Sequence, residues 1–293
     1  MSSEKDKSFS DSTSERTIKL VKEYYESYGV KEWQRLVKDA YHKLEFDTTM
    51  YFLGKYLPRK GLVLDAGGGP GRYTIELAKQ GYDVILLDLT PKLLEIARRR
   101  IKREKVQDKV KQIIEGSVDN LSMFPDESFD AVMCLGGVLS HLVDKKRRQK
   151  AILELKRVAK KEAPIFISVI GRLHLPVGWL FLWGEAGHAE FLMPHVDKLM
   201  KTGDYYGGYG FAPAHFYLPE ELKGDCESAG LDVLELVGLE GLVTGHEKEV
   251  NKLARKRPDV WDKWKKMHLS VCTHPTSVGI SEHMLIICKK QNL

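Results

Sequence analysis

VLDAGGGPGRY, residues 63–73, decides the fold. An apolar run ends on a lone acid, Asp65. Four glycines and a proline follow, and then RYTIELAKQ, stopped by Gly81, carries the spacing of a helix. Strand, glycine turn and helix in immediate succession open an α/β unit. A turn of this kind presents backbone N–H groups to a ligand.

The same alternation continues downstream. DVILLDL (83–89) is a second strand, and Thr90-Pro91 is an N-cap and first-turn proline for the helix KLLEIARRRIKRE. VKQIIEGS (110–117), FDAVMCLG (129–136) and PIFISVIG (164–171) read as strands, with a helix at about 145–160. LDVLELVG (231–238) and HMLIICKK (283–290) bring the strand count to seven. Apolar strands alternating with helices predict an α/β fold, a mainly parallel sheet covered on both faces. Two stretches interrupt the rhythm. Residues 172–217 are rich in Gly, His and aromatics, and 240–280 contain a helix at about 247–267. Insertions that follow a strand sit above the carboxyl edge, where ligands bind, so 172–217 is read as a cap.

Upstream, residues 17–57 carry helical spacing with a break at Gly29, and 1–16 are polar and Ser-rich, the composition of a disordered tail. The expected organisation is that tail, helices over 17–57 that cover the cofactor site, and one domain over 58–293 with its cap. The 43% hydrophobic and 30% charged content of the 293 residues suits a globular domain, and no apolar run reaches membrane-spanning length. The four cysteines, Cys134, Cys226, Cys272 and Cys288, form no CxxC pair and read as buried thiols of a cytoplasmic protein. The net charge of +5 is mild. The basic runs RRRIKREK (98–105) and KKRRQK (145–150) have no interleaved aromatics, so they read as solvated helix faces rather than a nucleic-acid patch.

A dinucleotide site wants G-x-G-x-x-G, but the third glycine position holds Arg72 counted from Gly67, or Thr74 counted from Gly69. A P-loop ending is absent as well. Asp65, directly beneath the turn, would repel a pyrophosphate and favour an ammonium group, such as that of S-adenosylmethionine. Asp88 ends the next strand, 21 residues after Gly67, where a carboxylate can accept both hydroxyls of a ribose. Turn and two acids on consecutive strand ends point to S-adenosylmethionine.

These residues resemble the class I S-adenosylmethionine-dependent methyltransferases, of the broad type that includes the menaquinone and ubiquinone biosynthesis enzymes. VLDAGGGPG matches that family's D-x-G-x-G-x-G with Asp65, Gly67, Gly69 and Gly71. VILLDLTPKLLEIARRR, FPDESFDAVMCLGGVLSHLVD and HFYLPEELKGDCESAGLDVLELVGLEG match later elements. The resemblance implies a Rossmann-like sheet of seven strands, the last antiparallel. It also implies a cofactor-contacting set of Asp65, Ala66, Gly67, Gly69, Gly71, Asp88, Leu89, Ser117, Val118 and Leu135. One position departs from the family. Where Gly-Asp is common and the acid holds the adenine amino group, this chain has Gly116-Ser117, so a hydroxyl, or Asp119, takes that place.

Methyl transfer needs alignment and exclusion of water more than a triad, and no triad is seen. The Asn/Asp-Pro-Pro-Tyr and Pro-Cys motifs of base methylation are absent, and the histidines lack metal-like spacing. The catalytic or acceptor-contacting candidates are His141, after the fourth strand, and His215, where the cap returns to the core. Trp179, Phe181, Trp183, Phe191, Tyr205, Tyr206, Tyr209 and Phe211 form either a satellite core or an acceptor pocket under a lid hinged at Gly203, Gly207, Gly208 and Gly210. Trp33, Arg35, Tyr41 and His42 are candidates to line the site, with Trp33 read as core. The expectation is methylation of a small-molecule acceptor with release of S-adenosylhomocysteine. The alternatives are an RNA or protein methyltransferase docking through the basic helices, and a non-catalytic binder of the cofactor.

Overall fold

A computed structural model describes residues 2–182, 188–207 and 210–290; the side chains of 2–14, 180–182 and 188–192 fall outside that description. Three helices come first: α1 (Ser2–Tyr28), α2 (Val30–Arg35) and α3 (Ala40–Tyr56). The break at Gly29 separates α1 from α2. The chain breaks again before Asp39, whose carboxylate accepts the His42 N–H at 3.0 Å and caps α3. The disordered tail expected over 1–16 is instead, from Ser2 onward, the first part of α1.

The sheet is built from β1 (Leu62–Ala66), β2 (Asp83–Asp88), β3 (Val110–Glu115), β4 (Ala131–Cys134) and β5 (Ile165–Ile170), joined through α4 (Arg72–Lys79), α5 (Pro91–Glu104) and α6 (Lys145–Val158). Two more helices, α7 (His174–Leu182) and α8 (His188–Thr202), and a hairpin of β6 (Asp204–Tyr205) and β7 (Ala214–His215) form the cap. Then come α9 (Pro219–Ser228), β8 (Leu231–Gly238), α10 (Glu247–Lys256), α11 (Pro258–Val271), α12 (Pro275–Ile280) and β9 (His283–Lys290). The single helix expected over 247–267 is two, because Pro258 lacks the N–H needed to continue one and starts the next.

The strand order is β3-β2-β1-β4-β5-β9-β8, and β9 alone runs antiparallel to its neighbours. Every residue of β5 is buried, which accounts for its unbroken apolar run. Alternate residues face two cores. Leu64, Val132 and Ile167 meet α6 and α9 through Leu155 and Leu222. Val63, Met133 and Phe166 meet α3 and α4 through Phe52 and Leu77. The order reverses between β1 and β4, which opens a crevice at their carboxyl ends. All four cysteines are buried and free. No described helix is long and apolar enough to cross a membrane.

Part of the KKRRQK run is tied into the structure. Arg148 is buried and donates to the Leu142 and Val143 carbonyls, and Arg147 pairs with Asp119 at 2.7 Å. Only the remainder is a solvated face.

Candidate active site

The crevice floor is the turn between β1 and α4. Gly67 has φ +84°, and a Cβ there would lie 2.5 Å from Val138; one on Gly68 would lie 2.4 Å from the Asp65 carboxylate. Glycine is required because no side chain fits between the turn and the loop leaving β4. The N–H groups of the turn are not bare. Those of Gly67 and Gly68 donate to the Leu87 carbonyl, that of Gly71 to Gly68, and that of Gly69 to Asp88 at 2.9 Å. A pyrophosphate would find few donors here, which removes the dinucleotide alternative on geometry as well as on charge.

Asp65 is fully buried. One oxygen, Oδ2, accepts from the Thr74 N–H and hydroxyl at 3.1 and 2.6 Å, while Oδ1 has no partner among the described residues. An orphaned carboxylate oxygen in a crevice is what an ammonium group would satisfy. Asp88 accepts from Gly69 and, at 2.8 Å, from the Thr90 N–H; the second lone pairs of its oxygens can take ribose hydroxyls. The Thr90 side chain makes no cap bond, contrary to its expected role. Burial pushes both carboxyls up to about 6, against partial relief from these hydrogen bonds.

At the adenine end, the Ser117 hydroxyl donates to Asp119, whose other oxygen is held by Arg147. Asp119 is thereby committed and stands behind the serine. The Ser117 oxygen keeps its lone pairs and can accept from an amino group, polarised by the acid behind it.

The cleft so formed has a volume of about 120 Å³ and is closed above by Ile18, Val21 and Tyr25 of α1 and Arg35 of α2. Tyr25, Glu32, Arg35 and Gly136 also line a second cavity of about 380 Å³. Its walls are the cap, through Trp179, Leu199 and Phe216, and the start of β9, through Glu282 and His283. The cap residues also pack on one another and on Ile170, so the satellite core and the cavity wall are the same structure.

A family model described as a methyltransferase domain matches residues 63–162. A glycine/sarcosine N-methyltransferase of Aphanothece halophytica is 29% identical over 148 residues, 50% of this chain and 53% of its own. A ubiquinone biosynthesis O-methyltransferase of Acinetobacter baumannii (strain ACICU) is 30% identical over 178 residues, 60% of this chain and 66% of its own. The chain thus spans about half to two thirds of these curated relatives. The solved structure of an S-adenosylmethionine-dependent methyltransferase from Methanosarcina mazei shares the fold, with a TM-score of 0.56 at 20% identity over 83% of this chain and 98% of that one. Residues 63–162 belong to that methyltransferase-domain family, and the chain has the class I S-adenosylmethionine-dependent methyltransferase fold.

Of the residues expected to contact the cofactor, Asp65, Gly67, Gly69, Asp88, Leu89, Ser117, Val118 and Leu135 line the cleft. Ala66 and Gly71 do not line it: Ala66 is buried in the core, and Gly71 caps α4. His141 lines the cleft, on a 3-10 turn (Val138–His141) after β4. Its Nδ1–H donates to the Pro213 carbonyl at 2.8 Å, so Nε2 accepts the Tyr25 hydroxyl at 2.7 Å. Burial lowers its pKa to about 4, and the ring is neutral, a clasp joining α1, the β4 loop and the cap.

His215 lines neither cavity. It donates to Asp204 at 2.7 Å and meets Tyr217 edge-on, holding the hairpin to the domain. That geometry removes it as an acceptor contact. Gly203 is no free hinge either: its carbonyl accepts from Phe216, and a Cβ would strike the Phe216 oxygen at 2.4 Å. Phe181, Trp183, Phe191, Gly208 and Tyr209 lie outside the described residues or side chains. Arg35, Tyr41 and His42 line the second cavity, while Trp33 is stacked between Arg72 and Arg100 with charge-to-ring distances of 4.0 and 4.8 Å.

Sequence reasoning missed Glu45, Glu240, Glu282 and His283, which form the polar end of the second cavity. A usable signal existed. An antiparallel last strand must begin at the carboxyl edge, so Glu282 and the first residue of HMLIICKK, His283, fall at the site.

Proposed function

We propose that the protein transfers a methyl group from S-adenosylmethionine to a small molecule held in the second cavity and releases S-adenosylhomocysteine. The observation that carries this reading is the shared wall of Tyr25, Glu32, Arg35 and Gly136, through which the cofactor cleft meets a cavity of about 380 Å³. Bound there, the cofactor supplies a methyl already activated by a sulfonium. The chain's own part is positioning. Asp65 takes the ammonium, Asp88 the ribose and Ser117 the adenine. The α1–α2 roof and the cap keep water from the junction and hold the acceptor's nucleophile in line. His141, neutral and with both nitrogens occupied, serves as a positioning residue for that roof. The two curated relatives carry N- and O-methyltransferase names, so the acceptor atom is left open. Four buried thiols favour a reducing compartment, the cytoplasm.

The test is methyl transfer from isotope-labelled S-adenosylmethionine into a cell extract separated into small molecules, RNA and protein. Label among the small molecules is expected. Label only in RNA or protein would replace this reading with a macromolecular one.

A further inference from the structure

The polar end of the second cavity is not charge-balanced. Four carboxylates, Glu32, Glu45, Glu240 and Glu282, face two inner cations, Arg35 and His283, while Lys38 is exposed. Glu45 holds Arg35 in a fork at 2.6 and 3.2 Å. Glu240 holds the His283 ring at 2.8 Å and its N–H at 2.8 Å, and also accepts the Ser281 hydroxyl. These two acids are matched, and their neighbourhood keeps His283 protonated, its pKa raised to about 10. Glu32 has only Nε of the same Arg35, at 3.1 Å. The Glu282 carboxylate accepts one hydrogen bond among the described residues, from the neutral Tyr41 hydroxyl at 3.0 Å. Its nearby His174 is neutral, with a pKa lowered by burial. Two negative charges are therefore in excess at the inner end, and one when the exposed Lys38 is counted.

The rest of the wall is apolar and rich in aromatic rings: Tyr24, Tyr28, Trp179, Phe211 and Phe216 stand beside the aliphatic Ile170, Leu175 and Leu199. Aromatic faces attract cations and repel anions. An anionic acceptor would meet Glu282 and Glu32 directly. A neutral one would strip water from Glu282 and return no charge.

Resting on the reading of this cavity as the acceptor site, we propose that the acceptor is a small organic cation, an amine on an aromatic or apolar body, anchored by Glu282. The residue is a specificity determinant whether the anchored amine or another atom receives the methyl.

The experiment divides the labelled small molecules from the extract by ion exchange into cationic, neutral and anionic pools. Label concentrated in the cationic pool is expected. Label in the neutral or anionic pool overturns the inference and leaves the small-molecule reading standing; label only in macromolecules, or nowhere, overturns both. With the labelled compound purified, Glu282→Gln is expected to raise its KM at least tenfold while S-adenosylhomocysteine affinity stays within twofold. An unchanged KM in a variant that binds S-adenosylhomocysteine normally would also overturn it. The wild-type distribution among the pools decides the matter even if that variant does not fold.

Discussion

The floor and the roof of this site are built in different ways. The polar contacts of the floor stay within one stretch of chain: Asp65 to Thr74, Gly69 to Asp88, Asp88 to Thr90 and Ser117 to Asp119, with Arg147, 28 residues beyond Asp119, as the farthest partner. The roof joins partners far apart in the chain: Tyr25 with His141, Tyr41 with Glu282, Glu45 with His283. A local floor can be set by strand ends and one glycine turn. A non-local roof exists only when the whole chain is folded, and it can change its side chains without disturbing the sheet. That division suits a cofactor common to many enzymes and an acceptor particular to one.

The largest expected effect strikes the floor. Asp88→Ala removes the partner of two buried N–H groups and the proposed acceptor for the ribose. S-adenosylhomocysteine affinity is expected to fall by about 100-fold or more, measured by calorimetry. Affinity within threefold of wild type would mean that the floor does not hold the ribose.

The next effects separate the two regions by pH. Asp65 holds its proton more tightly folded than unfolded, with its carboxyl at about 6 against 3.8. Its ionisation therefore costs the cofactor-free protein stability as pH rises from about 4 to 6, about 3 kcal/mol in all. Asp65→Asn is expected to raise the melting temperature at pH 7, to lose that advantage near pH 4, and to weaken cofactor binding. A variant less stable than wild type at pH 7 would break this account. In the roof the slope has the same sign but lies at higher pH, and there the charged form is the one that folding favours. Glu45 and Glu240 raise the pKa of His283 from 6.5 to about 10. Its contribution is complete below about 6.5 and is lost as pH rises toward 10. Glu240→Gln should flatten that alkaline loss of stability in thermal melts at pH 7 to 10. An unchanged slope would assign the loss to other groups.

The smallest effect belongs to the clasp. His141→Asn is expected to lower turnover by less than tenfold, through a looser roof. It should leave the inflection of kcat/KM for S-adenosylmethionine near pH 6, because that inflection comes from Asp65 and Asp88. Its disappearance would make His141 the titrating group.

The same division explains what was legible in the sequence. VLDAGGGPG and the acid at the end of DVILLD expose the floor because strand ends and turn residues are adjacent in the chain. The seven strands follow from runs such as IFISVI, whose continuous burial leaves no polar position to confuse the period. Glu45 was hidden because its position on α3 reads as an ordinary polar residue of an amphipathic helix. Its burial is set by Arg35 ten residues earlier and by His283 on the last strand. His215 misled for the converse reason: a histidine at a cap boundary looks available, and only the fold shows Asp204 across the hairpin. Residue type at a position does not reveal its partner when the partner comes from another layer.

The most direct test of the central claim is the affinity of the wild-type protein for S-adenosylhomocysteine between pH 5 and 8. If the buried carboxylates of Asp65 and Asp88 hold the cofactor, each at about 6 when free, affinity is level above pH 7. It then falls about tenfold or more by pH 5. An affinity that stays flat across that range would contradict the assignment of both acids and, with them, the floor described above.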